Sequence, residues 1–427
     1  MLKQIVKIWL WWLAARVLRK YQPKIIAITG STGKTSAKDA TALVLTQNLT
    51  KRGIQVGSTP GNLNTEFGVA ATIVDPTFAG TTVNDKTKLT IRDISRLTKA
   101  AIKKLVNRAN YPKILVLELA ADRPGDIAYF MRRLKPEIGV LTNIGDVHLE
   151  FFGSKSELAD EKGKLIAGVN PNGLAILNRD DELTNLIAQK TTARKIFIGL
   201  HEGADAVAAN IALSSSGLHF DVNYRSKTAQ INMPVYGEQF VYSALVAVII
   251  GDYLGVDLID SAAALSQYSP AAGRFERVEL KGLTLIDDTY NANPTSMVAA
   301  LTSLGRLAGT RRKVAILGDM RELGTAHEKG HREVGTVAAS VLDLLITVGD
   351  GGRLIGEAAT AAGLSADRVI GIGELDEIFA HLRDNDVVLV KGSRAVHLDR
   401  IATLIKEKYT PAQPARENSE QRIDLNL

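Results

Sequence analysis

The stretch Gly30-Ser31-Thr32-Gly33-Lys34-Thr35-Ser36 packs two glycines, one cation and four hydroxyls into seven residues. That set suits a phosphate chain. Glycines let the backbone approach phosphate oxygens closely. A helix starting here would aim unpaired N–H groups and its positive end at them. Lys34 can then reach the β/γ oxygens of ATP, and the Thr35 hydroxyl can hold Mg2+. The apolar run Ile25–Thr29 before the loop reads as a strand, and Ser36–Asn48 after it reads as a helix. A tight turn with an incidental lysine is the competing reading, and the strand–loop–helix order speaks against it. The spacing G-x-x-x-x-G-K-[ST] of common nucleotide loops is not met, because Ile28 stands where its first glycine would be. The loop is a shortened one.

Further residues could serve the same chemistry. Glu118 closes the apolar run KILVLE. A carboxylate there lies on the edge where open α/β sheets bind ligands, within reach of a magnesium ion shared with phosphates. A solvated carboxylate just past a strand is the plainer alternative. Asn143, Asp146 and His148 follow the run Ile138–Thr142 and reach that edge too. Imidazole is an unusual magnesium ligand, since this ion prefers oxygen. Lys162, in SELADEKGKLI, reads on spacing alone as a solvated helix lysine. The segment Asp287-Asp288-Thr289-Tyr290-Asn291-Ala292-Asn293-Pro294 reads as a turn after the strand Leu283–Asp287. Lys391, Ser393 and Arg394 follow the strand Val387–Val390. Cations at that edge suit a carboxylate ligand, with solvated charges at a helix start as the alternative. His331 reads equally as a site residue or a helix-surface histidine.

These positions need elements to hold them. From Lys24 onward, short apolar runs (Ile25–Thr29, Ile114–Glu118, Ile138–Thr142, Leu174–Leu177) alternate with helical stretches such as Ser156–Gly168. This predicts a parallel sheet with helices on both faces. Leu218–Val222 and Gln230–Met233 suggest a small antiparallel meander, with Gln239–Leu254 helical after it. A second alternating block (Leu283–Asp287, Val314–Leu317, Leu344–Val348, Val387–Val390) predicts a smaller α/β domain, with the joint near Pro270–Arg277. The expected organisation is an N-terminal tryptophan-rich hydrophobic helix over residues 1–22 and a central parallel-sheet, phosphate-loop domain over 23–272. A Rossmann-like domain follows over 273–409, and a disordered polar tail over 410–427.

With 427 residues, several domains are expected. There is no cysteine, which removes disulfides, thiolate nucleophiles and cysteine-ligated metals, and fits a reducing cytoplasm. The net charge of +6 suits anionic substrates or lipid, or simply a solvated basic surface. No basic run is interleaved with aromatics, so nucleic acid is not the expected partner. Ile5 to Leu18 reads IVKIWLWWLAARVL and carries all three tryptophans, Trp9, Trp11 and Trp12. It is shorter than the ~20 apolar residues of a spanning helix and holds charge. Two readings remain open for it: an interfacial helix at the inner face of a membrane, or a helix packed on its own domain or a partner.

The ordered segments GSTGKTS, TPGNLNTE, LELAADRPGDI, TNIGDVHLEFFGS, DDTYNANPTSM, LGDMRELG with a later histidine, and VKGSR resemble the Mur ligase family over about residues 24–405. They are most similar to its member that joins D-alanyl-D-alanine to a UDP-linked muramyl tripeptide. The resemblance implies a monomeric, ADP-forming amide ligase of peptidoglycan synthesis, working through an acyl phosphate. It places ATP on Gly30, Ser31, Thr32, Gly33, Lys34, Thr35, Ser36, Asn143, Arg274, Asp288 and Asn293. Magnesium falls to Thr35, Glu118, His148 and Lys162, the last carbamoylated, which overturns the solvated reading of that lysine. Catalysis falls to Lys34, Glu118, His148 and Lys162, and substrate to Asn62, Asn64, Thr65, Lys391, Ser393 and Arg394. Two departures stand out. Only 29 residues precede Gly30, so the family's UDP-binding N-terminal domain is expected to be missing. Gln239, Phe240 and Ser243 replace the family's usual His-Asn and later Asn. Competing functions are a related ligase with another acceptor or amino acid, and a nucleotide-binding scaffold without catalysis.

Overall fold

A computed structural model describes residues 2–61, 63–78, 82–83, 86–87, 90–107, 110–214 and 216–410. Of the tail expected at 410–427, all but Thr410 lies outside the described residues.

The first part of the chain supplies β1 (Lys24–Thr29), β2 (Val56–Ser58), β3 (Thr82–Val83), β4 (Lys86–Thr87), β5 (Ile114–Glu118), β6 (Ile138–Leu141), β7 (Leu174–Asn178), β8 (Arg194–Gly199), β9 (Ala206–Ser214), β10 (Gly217–Tyr224) and β11 (Lys227–Met233). Nine of these form one sheet in the order β11-β10-β9-β8-β7-β6-β1-β5-β2, and β3 and β4 pair apart from it. Neighbours from β2 to β9 run parallel, and β9-β10-β11 run antiparallel. The expected meander therefore extends the main sheet, through the parallel pairing of β8 with β9.

The period-2 pleat explains why the central strands are apolar throughout. Ile26 and Ile28 face α2 (Lys34–Leu49) and the largely apolar helix Phe240–Tyr253, while Ile25 and Ala27 face the opposite layer. That layer holds α1 (Leu2–Tyr21), α3 (Glu66–Val74) and α4 (Ile91–Val106). In α1 the side chains of Leu10, Trp11, Leu13, Ala14 and Val17 are buried. The Trp11 indole donates to Glu66 O at 2.9 Å, and the Tyr21 ring stacks on Tyr111 at 4.6 Å. The helix is thus packed on its own domain along one face. No described helix is long and apolar enough to cross a membrane.

The second sheet contains β12 (Glu276–Leu280), β13 (Leu283–Asp287), β14 (Lys313–Gly318), β15 (Leu344–Val348), β16 (Val369–Ile372) and β17 (Asp386–Lys391), ordered β12-β13-β17-β14-β15-β16. Only β12 runs antiparallel to its neighbour. In both sheets the carboxyl ends of parallel strands line one cleft of about 1550 Å3, where Ser31, Glu118 and Asn143 face Asp288, Arg321 and Lys391.

Candidate active site

The phosphate loop is held open by its neighbours. Gly30 and Gly33 have φ of +152° and +75°, which favour glycine. A Cβ on Gly30 would collide with Thr142 Oγ1. Asn143 clasps the loop: its Oδ1 accepts from Thr32 N at 2.8 Å, its Nδ2 donates to Thr32 Oγ1 at 2.7 Å, and its carbonyl accepts from Ser31 N. Lys34 folds back, donating to Gly30 O at 2.8 Å and Ser31 O at 3.3 Å. Lys162, from the helix Lys155–Ala167, donates to the same Gly30 O at 3.0 Å. Two lysines therefore meet on one carbonyl behind the loop. Burial lowers the pKa of both, and the Lys34 charge pushes Lys162 further down. With only 1% of its surface exposed, Lys162 is no solvated helix lysine.

Beside the loop, Thr35 Oγ1 donates to Glu118 Oε2 at 2.8 Å, and Asn64 Nδ2 donates to Glu118 Oε1 at 2.8 Å. Thr65 caps α3. Asn62 lies outside the described residues. Among the described residues no group of three or more His, Cys, Asp or Glu side chains could hold a metal by itself. A hydroxyl and a buried carboxylate in contact nonetheless fit magnesium, which takes one or two carboxylates and completes its shell with phosphates and water.

His148, at φ +55°, opens the short helix Leu149–Phe152. Its Nδ1 meets Glu322 Oε2 of the second sheet's loop at 2.5 Å, and its Nε2 lies 3.4 Å from Asp122 Oδ1. The imidazole bridges the two halves of the cleft. Asp146 lies four residues before Glu150, whose N–H donates to Glu322 O at 3.3 Å.

On the facing wall, the Arg274 guanidinium sits 3.9 Å from the Tyr290 ring centre, with Arg394 at 5.9 Å from it. Asp288 accepts from Phe275 N at 3.0 Å and pairs with Lys391 at 2.7 Å; burial raises its pKa against the pull of Lys391. Lys391 also donates to Asn291 O at 2.9 Å. Asn293 Oδ1 accepts from Ser296 N at 2.9 Å, so its side chain caps the helix Pro294–Ala308. Ser393 Oγ accepts from Arg321 N at 2.8 Å. His331 is fully buried: its Nε2 accepts from Met320 N at 2.9 Å and its Nδ1 contacts His327 O at 2.7 Å. This corrects the surface reading of that histidine, which braces the Asp319–Arg321 turn.

Thr32, Lys34, Thr35, Asn64, Glu118, Asn143, His148, Arg274, Asp288, Asn293, Lys391, Ser393 and Arg394 all line the one cleft, and Gly30 and Lys162 stand directly behind its wall. Sequence reading missed Lys38, Asp122, Tyr290 and Glu322. Lys38 is fully buried on α2 and donates at 2.8 Å to both Thr59 O and Gly61 O, tying α2 to the segment that carries Asn64. The other three lie inside motif segments and were detectable from neighbouring residues. Lys38 had no such signal, because a helix lysine does not announce its burial.

The chain matches the Mur ligase middle domain over residues 28–251 and the Mur ligase, glutamate ligase domain over residues 273–394. It is 30% identical over 405 residues to the UDP-N-acetylmuramoyl-tripeptide–D-alanyl-D-alanine ligase of Escherichia coli strain K12, a match covering 93% of this chain and 80% of that protein. Among solved structures it resembles MurF from Acinetobacter baumannii, with a TM-score of 0.76 at 28% identity, covering 94% of this chain and 80% of that one. It also resembles MurF ligase from Thermotoga maritima in complex with ADP, with a TM-score of 0.76 at 25% identity, covering 94% and 84%.

Proposed function

We infer the function of this chain from one premise: it belongs to the Mur ligase family. We propose that it joins D-alanyl-D-alanine to a UDP-linked muramyl tripeptide at the cost of ATP, forming ADP and phosphate, in peptidoglycan precursor synthesis. One observation carries this reading. A phosphate loop and a buried carboxylate on one sheet face a cluster of cations on the other across a single cleft.

In this reading the tripeptide's terminal carboxylate attacks the γ-phosphorus, giving an acyl phosphate and ADP. The neutral amine of D-alanyl-D-alanine then attacks the acyl carbon, and the tetrahedral adduct expels phosphate and loses a proton. Nearly every participant is anionic, so catalysis is positioning and charge neutralisation. The loop N–H groups and Lys34 hold the β/γ-phosphates. Magnesium, when bound, neutralises phosphate oxygens, and Thr35 and Glu118 hold it, with His148 serving a second ion. Lys162 joins them as a carbamate: a buried lysine held toward its neutral form is the nucleophile that carbon dioxide requires, the reaction releasing one proton. Arg274 and Tyr290 flank the nucleotide, with Asp288 and Asn293 beside the ribose. Asn64 and Thr65 lie on the acceptor side. Arg394 and Ser393, backed by the fixed charge of Lys391, receive the carboxylate of the incoming dipeptide. One chain carries both sheets and the whole cleft, so a monomer is sufficient. Water-soluble, nucleotide-activated substrates place the reaction in the cytoplasm.

A related ligase with another acceptor or donor is the second reading. It is favoured by Gln239, Phe240 and Ser243, which line the cleft where the family carries other residues. Hydroxylamine trapping tests the chemistry. With ATP and the tripeptide acceptor but no dipeptide, an acyl hydroxamate should accumulate. ADP release without hydroxamate would argue against an acyl phosphate.

A further inference from the structure

The outer surface of α1 and α4 takes no part in the cleft. In α1 the exposed residues Ile5, Ile8, Trp9, Trp12, Arg16 and Arg19 recur at spacings of three and four, so they share one stripe. Ile5 and Ile8 are 57% and 67% exposed, and Trp9 and Trp12 are 40% and 41% exposed. The stripe is apolar toward its N-terminal end and cationic toward its C-terminal end. The Trp9 and Trp12 rings stack at 4.9 Å, with the Arg16 guanidinium 3.5 Å from the Trp12 centroid. Trp9 Nε1 donates to Thr98 Oγ1 at 3.2 Å, which joins the stripe to α4. There Arg92, Arg96, Lys99 and Lys103 are exposed, while Asp93, the acid of the pair of helices, is buried in the cap with Thr90. Together the two helices contain ten basic residues and one acidic one, net +9 against +6 for the whole chain, so the remainder is net negative.

We propose that this two-helix face docks on an anionic lipid bilayer. Cations segregated from an otherwise acidic molecule match a negative headgroup layer. Stacked indoles beside a guanidinium suit the boundary between headgroup and acyl chain. Ile5 and Ile8 favour lipid over nucleic acid, whose phosphate backbone offers them no apolar partner. α1 lies in the plane of the interface and does not span it. Its other face is fixed by the buried Trp11 and by the Lys7–Glu66 ion pair at 2.5 Å, so the domain docks as a body. This inference is independent of the ligase reading.

The test is co-sedimentation of the full chain with vesicles of phosphatidylcholine alone, or of equal parts phosphatidylcholine and phosphatidylglycerol. The wild type should sediment with the mixed vesicles only, with a blue shift of tryptophan fluorescence, and high salt should release it. R16E/R19E should weaken partitioning by about 30-fold or more, at roughly 1 kcal/mol per basic residue. W9S/W12S should weaken it independently, and unchanged circular-dichroism melts should show that both variants fold. Failure to bind mixed vesicles, or equal binding by wild type and both variants, would overturn the proposal. So would an oligomer dispersed by the same substitutions without lipid binding, since the face would then be a protein interface.

Discussion

Gly30 O lies between the ammonium groups of Lys34 and Lys162, and among the described residues neither lysine forms an ion pair with a carboxylate. Burial and mutual repulsion favour losing one proton, and Lys162 carries the larger downward shift. A neutral Lys162 amine can take up carbon dioxide. Activity should therefore fall in CO2-depleted buffer, fall further as acid protonates the amine, and recover with bicarbonate; a carbamate signal from 13C-bicarbonate, absent in K162A, checks the cause. Lys38 is held by two backbone carbonyls and, unlike those two lysines, also pairs with a carboxylate, Asp39 at 3.0 Å. K38M leaves Thr59 O and Gly61 O without that donor, at roughly 1–3 kcal/mol each. It should lower the melting temperature and raise KM for the acceptor more than KM for ATP. His331 tests the sign of a buried imidazole. Burial sets its folded pKa below the unfolded value of 6.5, so the unfolded chain binds the extra proton first. Wild-type stability should be full above about pH 6.5 and decline as pH falls below it, whereas the H331Q melting curve should be flatter over that window. The phosphate loop was legible in sequence because its strand, turn and helix are contiguous. Lys162 and Lys164 are two residues apart on one helix, yet one is 1% exposed and the other is outward, a difference set by β1 and the loop and invisible in local spacing.

At the scale of elements, α1 divides its tryptophans. Trp11 is buried against Tyr129 and Phe130, whereas Trp12 is 41% exposed. W11A should destabilise the fold by about 3–5 kcal/mol, while W12A should stay within about 0.5 kcal/mol; chemical denaturation of the two variants measures the contrast. Equal losses would mean that α1 packs by another face. The sequence left the packed and interfacial readings open because an apolar run without clear periodicity names no face. Contacts with Glu66, Thr98 and Tyr111, far along the chain, select it. The central strands were readable as near-continuous apolar runs. β2, β8, β9, β12 and β16, like the pair β3–β4, were missed because they are short or carry polar residues, and the pairing of those in the two main sheets depends on distant neighbours. The place of the meander in the main sheet likewise rests on one parallel pairing that no local pattern encodes.

Across the whole molecule, function depends on two sheets presenting their carboxyl edges to one cleft. Glu322 reaches His148 across it, and Gly324 packs against the Glu150 backbone. A carboxylate on one imidazole nitrogen fixes the orientation of the ring, and losing such a partner typically costs about 10–100-fold in metal affinity or activity. E322A should therefore raise the magnesium concentration needed for half-maximal turnover by about tenfold or more; an unchanged requirement would reduce the pair to a packing contact. ATP cleavage here makes an amide bond between a muramyl tripeptide and D-alanyl-D-alanine. The most direct measurement mixes the full chain with ATP, magnesium, UDP-linked muramyl tripeptide and D-alanyl-D-alanine, and follows ADP and product mass together. Equal amounts of ADP and of a UDP-linked muramyl pentapeptide should form, with no pentapeptide when the dipeptide or the acceptor is omitted and no sustained ADP release without the acceptor. ADP without pentapeptide, or no turnover despite ATP binding, would contradict this chemistry.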